Sequence, residues 1–154
     1  MKQTVFTIQV EIPAPPENVW DVMMDVERWP EWTPSISKVT KLSPVPLAVG
    51  NRVRIRQPKF PAAWWRVTQL EPGYGFTWES AVPGIRVVAQ HCIEPIVTGS
   101  RVILSIAYAG VFGRWLARGT RELNERYLEM EANGLKDRCT GQLESCGPGE
   151  AFQR

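Results

Sequence analysis

The sequence contains one histidine, His91, and proton-transfer chemistry near neutral pH would start there. A neutral imidazole can take a proton from an enol or carbonyl substrate and return it, given a second polar group to share the work. Three residues come into consideration for that second place: Glu79, Glu94 and Tyr108. Alternation along its own segment turns Glu79 outward, and Glu94 adjoins Pro95 at a turn that solvent reaches. No carboxylate stands at a spacing that would complete a Ser-His-Asp set. His91 therefore has three open readings: a hydrogen-bonded space-filler, a polar contact in a cavity wall, or an acid/base group, making it the one candidate catalytic residue. One His and three scattered cysteines (Cys92, Cys139 and Cys146) supply no metal-ligand set, so neither a metal nor a cofactor is expected. The glycines sit singly at turns, without the run that cradles a phosphate.

Tryptophan is the other unusual supply, with seven in 154 residues. The indole is large and apolar but carries an N–H, so clusters of it line clefts as well as cores. Trp29 and Trp32 lie three apart around Pro30, and two uses fit them equally in kind: a hydrophobic plug or the rim of a cavity. Arg52, Arg54, Arg56 and Arg66 read as the solvated face of a sheet, because a net charge of +2 gives no electrostatic case for nucleic acid. An odd number of cysteines without a Cys-x-x-Cys pair fits a reducing cytoplasm. The opening residues lack the apolar core of a signal peptide, and no apolar run is long enough to span a bilayer. A cytoplasmic protein without an integral membrane segment is the expectation.

The elements that must position these residues follow from periodicity. Val5 to Ile12 alternates as a first strand, and Pro13, Pro15 and Pro16 stop it. Pro16 suits a first helical position and Glu17 the positive end of a helix dipole, so a helix is predicted over 16–25. Strand-like segments follow at 36–42, 52–57, 63–70, 74–80, 85–94 and 101–108, separated by Pro and Gly, which indicates an antiparallel meander. Val53 and Ile55, Trp65 and Val67, Phe76 and Trp78, and Val102, Leu104, Ile106 and Tyr108 take the inner face by parity. From Val111 to Leu135 no proline intervenes, and Phe112, Trp115, Leu116, Gly119, Leu123, Tyr127 and Met130 recur at helical spacing. Charges of opposite sign lie four apart on the other side, at Arg118 and Glu122, Arg121 and Glu125, and Glu122 and Arg126. One helix about 37 Å long would cross a small domain. Gly113 and Gly119 interrupt its stripe at a cost of roughly 1 kcal/mol each relative to Ala, so Gly119 is expected to mark close packing on the sheet or open volume beside Trp115.

These motifs, in this order, resemble the START-like (SRPBCC) superfamily in its polyketide cyclase/dehydrase and lipid-transport branch. The resemblance rests on Val19-Trp20-Asp21-Val22, Asp25, Trp29-Pro30 and Trp32 at the start, then Gly50 before Val53 and Trp65 with Val67. It continues through Phe76-Thr77-Trp78, Pro83-Gly84, His91 before Ile93, and Glu94-Pro95 ahead of Gly99-Ser100-Arg101-Val102. It covers roughly Thr4 to Cys139. What it implies is the α+β helix-grip fold: a curved antiparallel sheet of six or seven strands around a long C-terminal helix, with two short helices after the first strand. It implies further an apolar cavity between sheet and helix, used across the superfamily by carriers, receptors, enzymes and co-chaperones.

The expectation is a single domain over 1–138, with 139–154, rich in Gly, Ser and charge, as a flexible tail. Function is expected to be binding, transport or sensing of a lipid- or polyketide-like molecule in that cavity. The alternatives are a cyclase/aromatase using His91 as acid/base and a co-chaperone-like interaction module. Cavity candidates are Trp32, Trp65, Trp78, His91, Tyr108, Trp115 and Gly119. The chain would act as monomer or homodimer, its partner a hydrophobic small molecule and not a nucleic acid.

Overall fold

The computed structural model describes residues 3–144, with side chains through Gly141. The order is β1 (Thr4–Ile12), α1 (Pro16–Met24), a 3₁₀ helix (Val26–Glu31), β2 (Lys38–Lys41), β3 (Arg52–Gln57), β4 (Phe60–Glu71), β5 (Gly75–Val82), β6 (Ile85–Ile96), β7 (Gly99–Ala109), α2 (Gly113–Gly119) and α3 (Arg121–Glu144). All seven strands form one antiparallel sheet in the order β1-β7-β6-β5-β4-β3-β2. This is the α+β helix-grip fold. The strand after β1 in sequence lies at the opposite edge, so α1 and the 3₁₀ helix cross the sheet between them.

Local chemistry accounts for these boundaries. α1 starts at Pro16, whose fixed φ suits a first turn and whose missing N–H is no loss there. Its inward stripe is Val19, Val22 and Met23, and its end is tied down by Trp29, whose Nε1–H donates to the Met23 carbonyl at 3.0 Å. Trp29 is almost wholly buried and packs on Trp32, Phe76 and Trp78, with centroids 5.4, 6.3 and 5.5 Å away. β4, β6 and β7 run longer than their alternation suggests, β3 matches it, and β2 is shorter. Pro61 lies inside β4, which the residues predict to begin at 63. β5 pairs with β4 only from Arg66↔Glu79, so the absent N–H of Pro61 faces no partner on that side.

The C-terminal helix departs most from its sequence reading. It is not one helix over 111–135 but two, broken at Thr120, whose backbone (φ −116°, ψ 18°) is no longer helical. The Thr120 hydroxyl donates to the Leu116 carbonyl at 2.8 Å, and Asn124 Nδ2 donates to the Thr120 carbonyl at 3.0 Å, so side chains add to the backbone bonds those two carbonyls already accept across the break. Arg121 and Glu125 do pair at 3.6 Å, whereas Arg118–Glu122 and Glu122–Arg126 form no ion pair among the described residues. α3 also runs beyond its predicted end. Residues 139–144 continue the helix and Cys139 is buried in the core, while the rest of the expected tail, 145–154 with Cys146, lies outside the described residues.

Glycine fits α3 to its support, although not the glycine the stripe suggests. A Cβ at Gly134 would run into the carbonyl of Trp32, so only glycine lets the helix lie this close to the 3₁₀ turn. Gly113 lies against the Tyr108 backbone, where a Cβ would come within 3.2 Å. Gly119 is exposed with nothing near its Cβ position, and neither packing nor cavity volume explains it. It stands at the end of α2, where a poor helix former costs least.

Candidate functional site

Between the concave face of the sheet and the helices lies a cavity of about 330 Å³. Its sheet wall carries Trp65, Trp78, Val87, Ala89, Leu104 and Ile106, and Trp29 closes one side. The helices contribute Leu116, Asn124, Tyr127, Leu128 and Glu131. The α3 residues step by three or four, so one helix face supplies them all. That face, continued by Ala132, Leu135 and Cys139, lies one residue out of phase with the stripe predicted through Leu123 and Met130. Polar Asn124 and Glu131 on the inner face blur the apolar contrast by which such a stripe is found.

His91 sits on β6, held by register between Phe76 of β5 and Leu104 of β7. Its ring stacks on Phe76, centroids 4.3 Å apart and planes within 3°, and lies 5.4 and 5.6 Å from the rings of Trp29 and Trp78. Nε2 is 3.6 Å from a carboxylate oxygen of Glu131, and both side chains are largely buried, 5% and 14% exposed. Nδ1 is buried without a hydrogen-bond partner. A buried ring nitrogen left open is costly unless something else meets it. Glu131 is the second group that sequence spacing did not provide. Its position was legible in one respect: Tyr127, Glu131 and Leu135 step by four, so a carboxylate between two core positions must face inward.

A second polar cluster lies along the same wall. The Tyr108 hydroxyl donates to Asn124 Oδ1 at 2.8 Å, and Asn124 Nδ2 donates to the Thr120 hydroxyl at 2.9 Å. Burial pushes the Tyr108 phenol above its usual range, partly offset by its hydrogen bonds to Asn124 and Thr120. Near the surface, the Tyr127 hydroxyl accepts the Lys59 N–H at 3.1 Å, and its ring meets Phe60 edge-on at 5.8 Å. These contacts tie the β3–β4 turn to α3. Exposed Pro61 and Val82 among the lining residues mark where the cavity reaches the surface.

Of the residues predicted for the site, the fold brings Trp65, Trp78, His91 and Tyr108 together around this cavity. Trp32 stays outside it, packed at a tilt against Trp29 and under Gly134. Trp115 projects into solvent, on the side of α2 opposite the buried Gly113 and Ala117. Gly119 likewise faces solvent. Trp29, Asn124, Tyr127 and Glu131 are the wall residues that sequence reasoning did not assign.

The model of the polyketide cyclase/dehydrase and lipid transport family matches residues 3–140. The chain belongs to this family. Among solved structures, the family's fold returns in the Zhui aromatase/cyclase of a Streptomyces strain, 16% identical, with 95% of this chain and 99% of that one covered at a TM-score of 0.72. A hypothetical protein of Helicobacter pylori is 13% identical over 90% of this chain and 88% of its own, at 0.74. Norcoclaurine synthase of Thalictrum flavum, solved with dopamine and hydroxybenzaldehyde, is 13% identical over 91% and 88%, at 0.72. Likeness at these identities speaks to the fold alone. No curated protein matches the sequence.

Proposed function

We propose that this chain binds a small, mostly apolar molecule with one polar end, held in the cavity with that end at His91 and Glu131. The observation that carries the reading is an aromatic-walled cavity lined by a buried imidazole that has the Glu131 carboxylate near Nε2 and leaves Nδ1 without a partner. A volume near 330 Å³ is at the low end for ligand pockets, which span about 300–1,000 Å³. That size suits a compact ring system or a single chain better than a two-chain lipid. Trp29, Trp65 and Trp78 provide the readout, since a ligand among them changes their fluorescence. Titration with a panel of aromatic polyketides, hydroxylated aromatics and fatty acids should give saturable quenching by at least one class. Val87→Trp fills the cavity and should abolish that signal. A panel without a binder, or a Val87→Trp protein that binds as before, overturns the reading.

A second reading is supported by one observation, the 3.6 Å approach of Glu131 to His91. A carboxylate that orients an imidazole is the arrangement of a general acid/base pair. On a reactive polyketone such a pair would remove a proton α to a carbonyl and return it to the oxygen of the closing ring. His91→Gln separates the two functions: a cyclase loses turnover and keeps substrate binding, whereas a carrier has no turnover to lose.

A further inference from the structure

The corner between β7 and α2 leaves large apolar side chains in water. Val111 is 68% exposed, Phe112 56% and Trp115 78%, and Val82 at the end of β5 is 60% exposed. The two segments form one surface. The Phe112 N–H donates to the Gly84 carbonyl at 2.9 Å, and the side chains of Phe112 and Val111 lie over Gly84 itself. Trp115 follows Phe112, the αR-conformation N-cap of α2, by three residues, which sets the two rings on the same side.

The charge of this corner has one sign. From Ala109 to Arg121 the sequence carries Arg114, Arg118 and Arg121 and no acidic residue. Arg121 is paired with Glu125, whereas Arg114 and Arg118 are exposed and form no ion pair among the described residues. Whatever covers the corner must be apolar where the rings sit and anionic beside them. A second copy in a two-fold dimer would set the patch on itself and bring Arg114 and Arg118 against their own kind without a carboxylate to answer them. The interface of an anionic bilayer supplies both needs: phosphates for guanidinium groups, and the depth at which Trp and Phe side chains are favoured.

We infer that the β7–α2 corner docks reversibly on an anionic membrane surface, with Val111, Phe112 and Trp115 in the headgroup–acyl boundary and Arg114 and Arg118 on lipid phosphates. No described helix is long and apolar enough to cross a membrane, so the contact is peripheral. Val82 belongs both to this surface and to the cavity lining, so a docked bilayer would meet the cavity opening. The inference rests on the surface and stands whatever the cavity holds.

Vesicle co-sedimentation of the whole protein tests it, with phosphatidylcholine alone and with phosphatidylglycerol mixed in. Binding is expected on the anionic vesicles, weakening as salt rises, and much weaker on phosphatidylcholine. Arg114→Gln with Arg118→Gln should reduce it roughly 30-fold, at the energy usual for two basic residues at such a surface. Phe112→Ser with Trp115→Ser should reduce it by about tenfold or more. All four side chains are exposed, so both variants should keep the wild-type circular dichroism and melting temperature. Arg54→Gln with Arg56→Gln, on the outer face of the sheet, is the control for charge in general and should bind as wild type. Absence of binding to anionic vesicles, or an equal loss in the control, overturns the inference. So does a Trp115-dependent dimer in sedimentation without vesicle binding, which would assign the corner to a second copy.

Discussion

His91 illustrates how little a residue type says before its neighbours are known. In the sequence it is an isolated histidine; in the fold it is sandwiched among Phe76, Trp29 and Trp78, with Glu131 beside one nitrogen and nothing meeting the other. If Glu131 receives the polar end of a ligand, Glu131→Gln should leave the fold intact and weaken binding about tenfold, near 1.4 kcal/mol for one charge-assisted hydrogen bond. Isothermal titration with the best binder of the fluorescence panel measures that loss. Tyr108 offers a structural counterpart on the same wall. Tyr108→Phe leaves Asn124 Oδ1 buried without its donor, and urea unfolding should show a loss of about 1–2 kcal/mol. Adding Asn124→Leu removes the stranded acceptor, so the double variant should lose less than the two single losses added together.

At the scale of elements, the phase of the C-terminal helices governs which residues face the cavity. Gly113, Ala117, Asn124, Leu128 and Glu131 recur at helical spacing on the inner side, so Trp115 and Gly119 lie on the other side, in solvent. The two glycines then respond oppositely to a methyl group. Gly134→Ala places a Cβ against the Trp32 carbonyl and must push α3 off the 3₁₀ turn, at a cost of about 3 kcal/mol. Gly119→Ala meets open space and should stabilise the protein by up to roughly 0.5 kcal/mol, less than at a helix interior because Gly119 is the last residue of α2. Thermal melts of the two variants should move in opposite directions. A Gly134→Ala protein that melts as wild type would show that the helix is not held this close. The strands were the more legible elements. Alternation placed Val53, Ile55, Trp65, Val67, Phe76 and Trp78 on the inner face, where they are buried, because in a sheet with one dry face the period of two admits no other register. Helix phase was harder to read, since a cavity wall tolerates polar residues that a packed core excludes.

For the whole molecule, burial of groups that ionise at high pH sets an alkaline limit. Burial pushes the Cys139 thiol up from 9.0 to about 11, with Arg138 pulling weakly the other way, and burial raises the Tyr108 phenol as well. A group whose folded value is raised favours the native state while it stays protonated. The Cys139 contribution is therefore complete below pH 9.0 and lost as pH rises toward about 11. Urea midpoints should be flat near neutrality and fall across that window. Cys139→Ala should remove part of the fall while lowering stability at pH 7 by about 1–2 kcal/mol for the lost packing. A fall of the same size in the variant would place the alkaline limit on other groups.

The sequence by itself determined the topology, because alternation, Pro and Gly punctuation and one long proline-free stretch are local signals that leave an antiparallel sheet under a C-terminal helix as the consistent solution. It also marked His91, as the one histidine, and the inner tryptophans Trp65 and Trp78, through parity along their strands. Only the tertiary structure decided that Glu131 meets His91, that Trp29 rather than Trp32 walls the cavity, and that Trp115 stands in water. Those outcomes depend on the phase and tilt of α3 relative to the sheet. Both are fixed by backbone contacts between segments, above all at Gly134 on Trp32, about a hundred residues away in sequence. No periodicity within a single segment encodes a distance between two segments.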